Sequence, residues 1–521
     1  MARSKVLMAC CSESGHSNVF LATAHSLLSR YPSVELHIAS FQPLEKSITA
    51  SLKNVKCEVP PKFHLIDAPT TFEALNRDPD PSKRFNEVVL LPPGRRNMAR
   101  VMEFFVLGLP MLWTVGEWTA IFRRARGLIL ELRPDAVVCD GLLGPAVSAA
   151  RHLREHEEGA DFFRLAVLSP NSLKEFTQHL EGGAAAFAKW PIVGSALPMP
   201  LPWYLVPLNF YYLVRLVLIM MGGQLPRFEA ELRESTGLPG LEMVSLISVM
   251  SGKGEGLDRV LLSSSPETDF PNLDYGCGPQ EYRDRLVSCG PILRSTSPVS
   301  EADPELDRWL GAGPVVYVNL GTLCMCSEAE AVELAKSFRK LFDHDDEKKE
   351  KGEKKNLRVL WKLKKDPKRG PEYDVGPGSA VHAVIGREMD EDRVRVVSWL
   401  DAEPASILMT GNVVVAVTHG GASSYYEPIV AGVPQIVLPV WADTYDYAYR
   451  AEMLGIGRWG NKTACPRWSA SEFGDVLVDV AATSHEEYAA ATRLVAEKCR
   501  RRGRGRDNAA EAIHDMIEGK R

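Results

Sequence analysis

The sequence predicts an α/β protein with two Rossmann-like domains, each built on a doubly wound parallel sheet. At 521 residues the chain is too long for a single hydrophobic core. An apolar run at 5–11 is followed by a turn containing Gly15 and by a helical pattern over 19–29. The same succession of strand, glycine turn and helix returns from 314 onward. Strands that are apolar throughout are buried on both faces, which is typical of parallel sheets.

Composition and charge narrow the function classes. Hydrophobic residues make up 45% of the chain and charged residues 25%, as in ordinary globular proteins. The net charge of -6 leaves no basic footprint, so we expect no nucleic-acid partner. The ten cysteines do not follow zinc spacings, which predicts free thiols in a reducing compartment.

The chain ends suggest a cytoplasmic protein. The first residues, Met-Ala-Arg-Ser-Lys, lead at once into a strand, so we expect no signal peptide. The basic stretch at 500–506 does not have the character of a membrane anchor.

Further strands follow in order along both halves. We predict them at 35–40, 134–140, 163–168, 357–363, 393–399, 413–417 and 432–439. The mixed-charge stretch 343–355 is expected to be a solvated loop.

The strand at 413–417 leads into the most informative stretch. It ends at His419 and two glycines, and a helix can begin near Ser423. Parallel sheets bind ligands at the carboxyl ends of their strands, and helix starts present free N–H groups to phosphates. Glu427 lies one turn into that helix and suits ribose hydroxyls, while Asp443 follows the next strand.

This pattern resembles the nucleotide-sugar signature of the UDP-glycosyltransferases, glycosyltransferase family 1. From His419 to Asp443 the match has no gap and includes Gly-Val-Pro at 432–434. The resemblance implies that Trp399 stacks on uracil, that Glu427 binds the ribose and that Asp443 binds the sugar. The implied diphosphate contacts are His419, Gly421, Ser423, Ser424, Gly321 and Thr322.

The chain departs from the family pattern at three places. The family's Gln after Trp399 has no clean equivalent, although Glu403 or Ala402 lies near its position, and the interval from Trp399 to His419 is two residues longer. Ser423 replaces an Asn, and Thr444 replaces a Gln. The choice of sugar therefore stays open, with glucose expected from the family.

Two residues in the first half are candidates for catalysis. His16 follows the first strand, and Asp140 ends the strand at 134–140. A carboxylate there can orient an imidazole and stabilise its cation. The resemblance implies that His16 is the catalytic base and Asp140 its partner; Asp135, earlier in the same strand, is not expected to take part.

No cofactor or metal is expected. The first strand turn lacks Gly-x-Gly-x-x-Gly, so a dinucleotide cofactor is disfavoured. There is no Asp-x-Asp pair at a strand end, and Asp345-Asp346 sits in a lysine-rich stretch.

The resemblance implies the GT-B fold, with the two domains facing a cleft. We expect an acceptor-binding domain at 1–294, a linker at 295–313, a donor-binding domain at 314–485, and a helical segment at 486–521 that packs back toward the first domain. The implied enzyme is a monomeric, inverting, metal-independent glycosyltransferase of secondary metabolism. It would move a sugar from a UDP-sugar to a hydroxyl of a small hydrophobic acceptor such as a phenol.

Three alternatives remain. The apolar segment 198–223 is either the wall of an acceptor pocket or a peripheral membrane patch, and it is too interrupted to be an integral anchor. A membrane patch would suit a sterol or lipid acceptor. A non-catalytic nucleotide-sugar-binding subunit is also possible on fold alone, although such a protein needs neither His16 nor Asp140.

Overall fold

A computed structural model describes residues 3–157, 162–180, 182–252, 256–271, 273–274, 279–350, 356–366 and 373–519. The chain divides into two compact units. The first comprises Met1–Ile192, Leu197–Ser295 and Arg502–Arg521, and the second comprises Val193–Ala196 and Thr296–Arg501. Each unit holds one sheet whose strand pairs are parallel, which confirms the predicted α/β class.

The first unit contains a seven-stranded sheet in the order β3-β2-β1-β4-β5-β6-β7. Its strands are β1 Lys5–Ala9, β2 Glu35–Ser40, β3 Lys62–Leu65, β4 Ala136–Asp140, β5 Arg164–Ser169, β6 Arg259–Leu262 and β7 Leu286–Ser288. The chain progresses outward from β1 to β3 and then returns to build the other half from β4. The switch point of this doubly wound sheet therefore lies between β1 and β4.

Among the described residues, the first twelve α-helices belong to the first unit. They are α1 Ser14–Arg30, α2 Leu44–Leu52, α3 Thr71–Asn76, α4 Phe85–Val88, α5 Arg95–Glu103, α6 Val115–Leu132, α7 Gly144–His156, α8 Leu173–Thr177, α9 Val206–Met221, α10 Gln224–Thr236, α11 Leu246–Met250 and α12 Gln280–Arg285.

The second unit repeats the architecture with a six-stranded sheet in the order β10-β9-β8-β11-β12-β13. Its strands are β8 Val315–Asn319, β9 Arg358–Lys362, β10 Val394–Val397, β11 Val413–Thr418, β12 Gln435–Val437 and β13 Gly457–Trp459. Its helices are α13 Val299–Ala302, α14 Pro304–Leu310, α15 Glu328–Glu350, α16 His382–Asp390, α17 Pro404–Leu408, α18 Ala422–Ala431, α19 Thr444–Met453, α20 Ala470–Val478 and most of α21 His485–Arg502. The switch point here lies between β8 and β11.

Both faces of the first sheet are covered, which explains its continuous apolar strands. Leu7 and Val137 point into a core with α6 and α7. Val6, Met8 and Val138 point into the opposite core with α1 and α2. Because successive side chains alternate between faces, every position in β1 and β4 must be apolar until the strand ends.

The last helix, α22 Gly505–Ile517, belongs to the first unit. It packs on α1, where Ser26 Oγ donates to Asp507 Oδ1 at 2.6 Å. The ring of Tyr31 stacks on His514 with a centroid distance of 3.8 Å. The chain thus leaves the second unit through α21 and adds a final helix to the first.

The prediction of a loop at 343–355 is wrong for its described part, because α15 continues to Glu350. Phe338 and Phe342 are buried on one face of the helix, so packing carries it into the charged stretch. Asp345 is buried as well and accepts a hydrogen bond from Arg393 Nη2 at 3.0 Å. Residues 351–355 lie outside the described part of the chain.

The segment 295–313, expected as a linker, contains α13 and α14. Leu306, Trp309 and Leu310 are buried in the core of the second unit. This segment therefore packs as part of that unit over most of its length.

Candidate active site

His16 and Asp140 meet at the switch point of the first sheet. His16 lies in the first turn of α1, not in a loop as expected, and Asp140 is the last residue of β4. Their side chains are joined by a contact of 2.8 Å between Nδ1 and Oδ1. Asp135 lies at the other end of β4, where it accepts a hydrogen bond from Lys5 N at 2.7 Å. The structure thus separates the two aspartates as the sequence predicts.

The protein holds the Asp140 carboxylate in its ionised form. Burial raises the pKa of Asp140, but His16 and the backbone N–H groups of Cys11 and Leu142 more than offset this and lower the pKa overall. The N–H of Cys11 lies 3.2 Å from Oδ2, and that of Leu142 lies 2.9 Å from Oδ1. An ionised Asp140 accepts a hydrogen bond from Nδ1–H of His16, so Nε2 is the basic nitrogen of the neutral ring.

A small apolar depression lies beside this pair. Its lining includes Leu109, Trp113, Leu142 and, from α11, Leu246. Leu142 connects the two features, because its N–H binds Asp140 while its side chain faces the depression. An apolar molecule seated there would be close to the loop that follows Asp140.

In the second unit, His419 is held between two glycines. A Cβ on Gly321 would lie 2.6 Å from Cε1 of His419, and one on Gly421 would lie 2.6 Å from Nε2. Only glycines allow the two backbone segments to approach the ring this closely. Gly321 follows β8 and Gly421 follows β11, which are neighbours at the switch point.

His419 is uncharged at neutral pH. Burial lowers its pKa to about 4, and the charge of Lys362 adds to the effect. Among the described residues, its Nδ1 has no hydrogen-bond partner although the atom is buried. A buried polar atom without a partner is costly, so this nitrogen is suited to a ligand.

The helix that follows His419 adds backbone donors. α18 begins at Ala422, with Gly421 as its N-cap and no side-chain cap. The first intrahelical bond comes from Tyr425 N to the carbonyl of Gly421 at 2.9 Å. Helix geometry thus leaves the N–H groups of Ala422, Ser423 and Ser424 without an acceptor in the helix, beside His419. Such a group of donors at the positive end of a helix suits an anion.

Lys362 is a site residue that sequence reasoning missed. Its Nζ lies 4.6 Å from the centre of the Trp399 ring, and its charge lowers the pKa of His419. The register of β8 and β9 explains this position, since Lys362 pairs with Asn319 at the carboxyl ends of both strands. Burial lowers the pKa of Lys362 itself. The sequence could have indicated Lys362, because a lysine at the end of a buried strand next to a glycine turn is unusual enough to mark a candidate site residue.

Trp399 and Thr322 flank this lysine. The Trp399 side chain is 65% exposed, so its ring face can receive a flat ligand. The neighbouring Lys364 donates from Nζ to the Thr322 carbonyl at 2.7 Å and fixes the loop after β8.

Two carboxylates lie near the buried Tyr317. Burial raises the pKa of Tyr317, and the charges of Glu427 and Glu403 raise it further. Tyr317 accepts a hydrogen bond from Asn319 Nδ2 at 2.9 Å. The structure thus brings Glu403, whose position the family pattern left uncertain, into the same region as Glu427.

Asp443 and Thr444 differ in their surroundings. Asp443 is partly exposed at the N-cap of α19. Thr444 is fully buried, and its hydroxyl accepts from Val440 N at 3.2 Å and Trp441 N at 3.1 Å. The hydroxyl also donates to the Trp441 carbonyl. It therefore supports the loop that carries Asp443, a different role from the sugar contact that the sequence suggested.

Trp441, on that loop, was also missed by sequence reasoning. Its ring centroid lies 5.6 Å from that of His419. The loop after β12 and the turn after β11 are thus in direct contact.

Within the described ranges, no group of three or more His, Cys, Asp and Glu side chains is arranged to hold a metal ion. Asp346 is bound by arginines: its Oδ1 lies 3.4 Å from Arg393 Nη1 and its Oδ2 lies 2.5 Å from Arg387 Nη2. No disulfide joins any two of the nine described cysteines.

The geometry can be compared with known proteins. Residues 308–463 match the family model for "UDP-glucoronosyl and UDP-glucosyl transferase". Over 99% of both chains, the sequence is 32% identical to glycosyltransferase sdnJ of Sordaria araneosa.

Two solved structures share the fold. A UDP-glucosyltransferase from Polygonum tinctorium has a TM-score of 0.61 at 16% identity, covering 100% of this chain and 99% of that one. UGT2 of Phytolacca americana, complexed with UDP-2-fluoro-glucose and pterostilbene, has a TM-score of 0.59 at 15% identity with the same coverage. These likenesses confirm the GT-B fold predicted from the sequence.

Proposed function

Because this chain belongs to the UDP-glycosyltransferase family and is a transferase, we propose that it moves glucose from UDP-glucose to a hydroxyl of a small hydrophobic acceptor, with inversion at the anomeric carbon. The single observation that carries the mechanism is the contact of 2.8 Å between His16 and Asp140. A protein that only binds nucleotide sugars has no use for such a pair, which argues against a non-catalytic subunit.

The first unit supplies the base. Nε2 of His16 removes the proton from the acceptor hydroxyl as the oxygen attacks the anomeric carbon. Asp140 holds the imidazole in the right tautomer and stabilises the cation that forms. Direct attack by the acceptor on the face opposite the leaving group inverts the configuration.

The second unit supplies the donor site. Uracil stacks on Trp399, and Glu427 with Glu403 accepts hydrogen bonds from the ribose. Asp443 accepts hydrogen bonds from the sugar hydroxyls. The exposed ring face of Trp399 suits stacking on a base, and the partly exposed carboxylates suit hydrogen bonds from hydroxyl groups.

The departing diphosphate gains negative charge, and donors must balance it. His419, the N–H groups at the start of α18, the loop at Gly321 and Thr322, and the cation of Lys362 serve this purpose. Because these groups provide positive charge, we propose that the reaction needs no metal ion and no cofactor. EDTA should then leave turnover unchanged, whereas loss of turnover that magnesium restores would contradict this.

We infer the acceptor class from the apolar residues that line a small depression next to the Asp140 loop. Its lining favours an aromatic or polycyclic alcohol over a sugar. The complex of the related UGT2 with pterostilbene supports the same class. We place the enzyme in secondary metabolism, acting as a monomer in the cytoplasm. A sterol or other lipid is the second candidate, favoured by the exposed apolar helix α9.

The test is a panel assay that measures UDP release. Donors are UDP-glucose, UDP-galactose and UDP-N-acetylglucosamine, and acceptors are phenols, flavonoids and sterols. Proton NMR of the product gives its anomeric configuration. We expect a β-glucoside of a phenolic acceptor from the α-linked donor. A retained α-configuration, or no transfer to any member of the panel, would contradict the proposal.

A further inference from the structure

Helix α9 exposes an apolar face that the transferase chemistry does not use. The described residues contain one helical stretch that is long and apolar enough to cross a membrane, Trp203–Thr236, and most of its apolar part is not buried inside the protein. Trp203 is 84% exposed and Met221 is 75% exposed. Exposed apolar surface of this extent usually marks a binding surface.

The opposite face of α9 is fastened to the first unit. Asn209 is fully buried and accepts from Ile192 N at 3.0 Å, and its Nδ2 donates to Trp190 O at 2.8 Å. Tyr212, one turn later, is 2% exposed in a cluster with Met98 and Met102. A helix held in this way cannot be surrounded by lipid on all sides.

The length of α9 also indicates that it does not span a membrane. α9 has 16 residues, about 24 Å at roughly 1.5 Å per residue, whereas a hydrocarbon core measures about 30 Å. After Met221 the backbone leaves the helix at Gly223, which has a φ of +78°. The helix is therefore suited to lie on a bilayer with one face inserted, and not to span it.

The segment that carries the exposed face has charges of one sign, and the acidic residues Glu229 and Glu231 follow it on α10. From 182 to 228 the sequence has no Asp or Glu and three basic residues, Lys189, Arg215 and Arg227, in a chain of net charge -6. All three are exposed. From α5, the exposed Arg95 places its guanidinium carbon 5.2 Å from the centre of the Tyr211 ring.

We propose that α9 and the preceding Trp203 and Tyr204 dock the protein on an anionic phospholipid surface. The apolar side chains enter the acyl boundary, the aromatic pair lies at the headgroups, and the arginines meet the lipid phosphates. A second copy of the chain is a poorer occupant. A symmetric contact would bring Arg95 and Arg215 of both copies together without an acidic partner from this segment.

The proposal is independent of the transferase chemistry, and its test uses no UDP-sugar. The full chain is sedimented with vesicles of phosphatidylcholine alone or with phosphatidylserine added. We expect binding to the anionic vesicles that weakens with added salt. Leu218→Asp should weaken it by roughly tenfold or more, and Arg215→Glu by a similar factor, since each nearby charge contributes measurably at such a surface.

The matched control is Leu494→Asp on α21. Leu494 is 59% exposed and Leu218 is 56% exposed, so the same change is made at similar accessibility. Leu494→Asp should bind vesicles as strongly as the unmodified protein does. Light scattering should show that the unmodified protein and all variants are monomers. Absence of binding by the unmodified protein, or equal binding by Leu218→Asp, overturns the proposal. A dimer that Leu218→Asp dissociates also overturns it, because the face would then join two copies.

Discussion

At the residue scale, the low pKa of His419 determines the charge of the ring that is proposed to contact the diphosphate. At about 4 it lies below the ordinary value of 6.5, so the free protein carries a neutral ring at pH 7. Without a ligand, His419 lowers the free energy of unfolding as the pH falls from 6.5 towards 4. The reason is that the unfolded chain binds a proton at this residue at a higher pH than the folded protein does. An anion bound beside the ring raises its pKa and reverses part of this cost.

We therefore expect UDP binding to be linked to proton uptake at His419. At pH 5.5, calorimetry in two buffers of different ionisation enthalpy should show more proton uptake for the unmodified protein than for His419→Asn. By linkage, the ratio of their UDP affinities should grow as the pH is lowered from 7 to 5.5. Equal proton uptake in both proteins would mean that the ring does not contact the diphosphate.

Lys362 provides a second test at this scale. Lys362→Gln should weaken UDP binding by roughly tenfold or more, the effect of losing a hydrogen bond from a charged group. Lys336→Gln is the control, since Lys336 sits on α15 and donates to Glu333 at 2.8 Å. If both variants bind UDP as tightly as the unmodified protein, Lys362 has no part in the donor site.

Single residues also show where sequence reasoning reaches its limit. His16 and Asp140 could be paired in advance because the family resemblance implied it, and the structure adds that the strands before His16 and up to Asp140 are neighbours. Lys362 and Trp441 could not, because their places depend on strand register and on the path of a loop. Thr444 could be located but not oriented, since the direction of its hydroxyl depends on the turn at 440–441.

At the scale of elements, the close approach of two glycine turns to the imidazole of His419 is central to the proposed donor site. Gly421→Ala introduces no strain in φ, which is −64°. Its Cβ would, however, lie 2.6 Å from Nε2 of His419 and must displace the ring. We expect at least a tenfold loss of UDP affinity, measured by calorimetry.

The control for this change is Gly127→Ala on α6, where a Cβ would meet nothing within 4 Å. It should leave UDP affinity unchanged and stabilise the fold slightly, because alanine favours helix. Unchanged affinity in Gly421→Ala would show that the turn can move without affecting the donor.

The elements that the sequence predicted are those buried on both faces. β3, β7 and β13 escaped notice because they are short edge strands, of four, three and three residues. The inner strand β6, of four residues, was missed as well. β3 carries Lys62 and His64 at half-exposed or exposed positions, so no apolar run marks it. The prediction ended α15 too early because the charged stretch was interpreted as a loop. In the structure the buried face of the helix continues through that stretch.

At the scale of the whole molecule, the proposed function gives the two units different parts in the reaction. The first contributes a His-Asp pair and an apolar depression, and the second contributes a cluster of donors and a ring face. The sequence predicts this division because each half contains its own strand, turn and helix pattern. The acceptor is harder to predict, because the residues from 109 to 247 that line the depression share no motif.

The central claim is that His16 acts as the base of a transferase whose donor site is separate from it. The most direct test measures turnover and UDP affinity of His16→Ala in the same preparation, with UDP-glucose and an alcohol of high pKa as acceptor. The account predicts that turnover falls by roughly 10²–10⁴-fold while the Kd of UDP stays within about twofold of its original value. Near-full turnover of His16→Ala with this acceptor at neutral pH would contradict it.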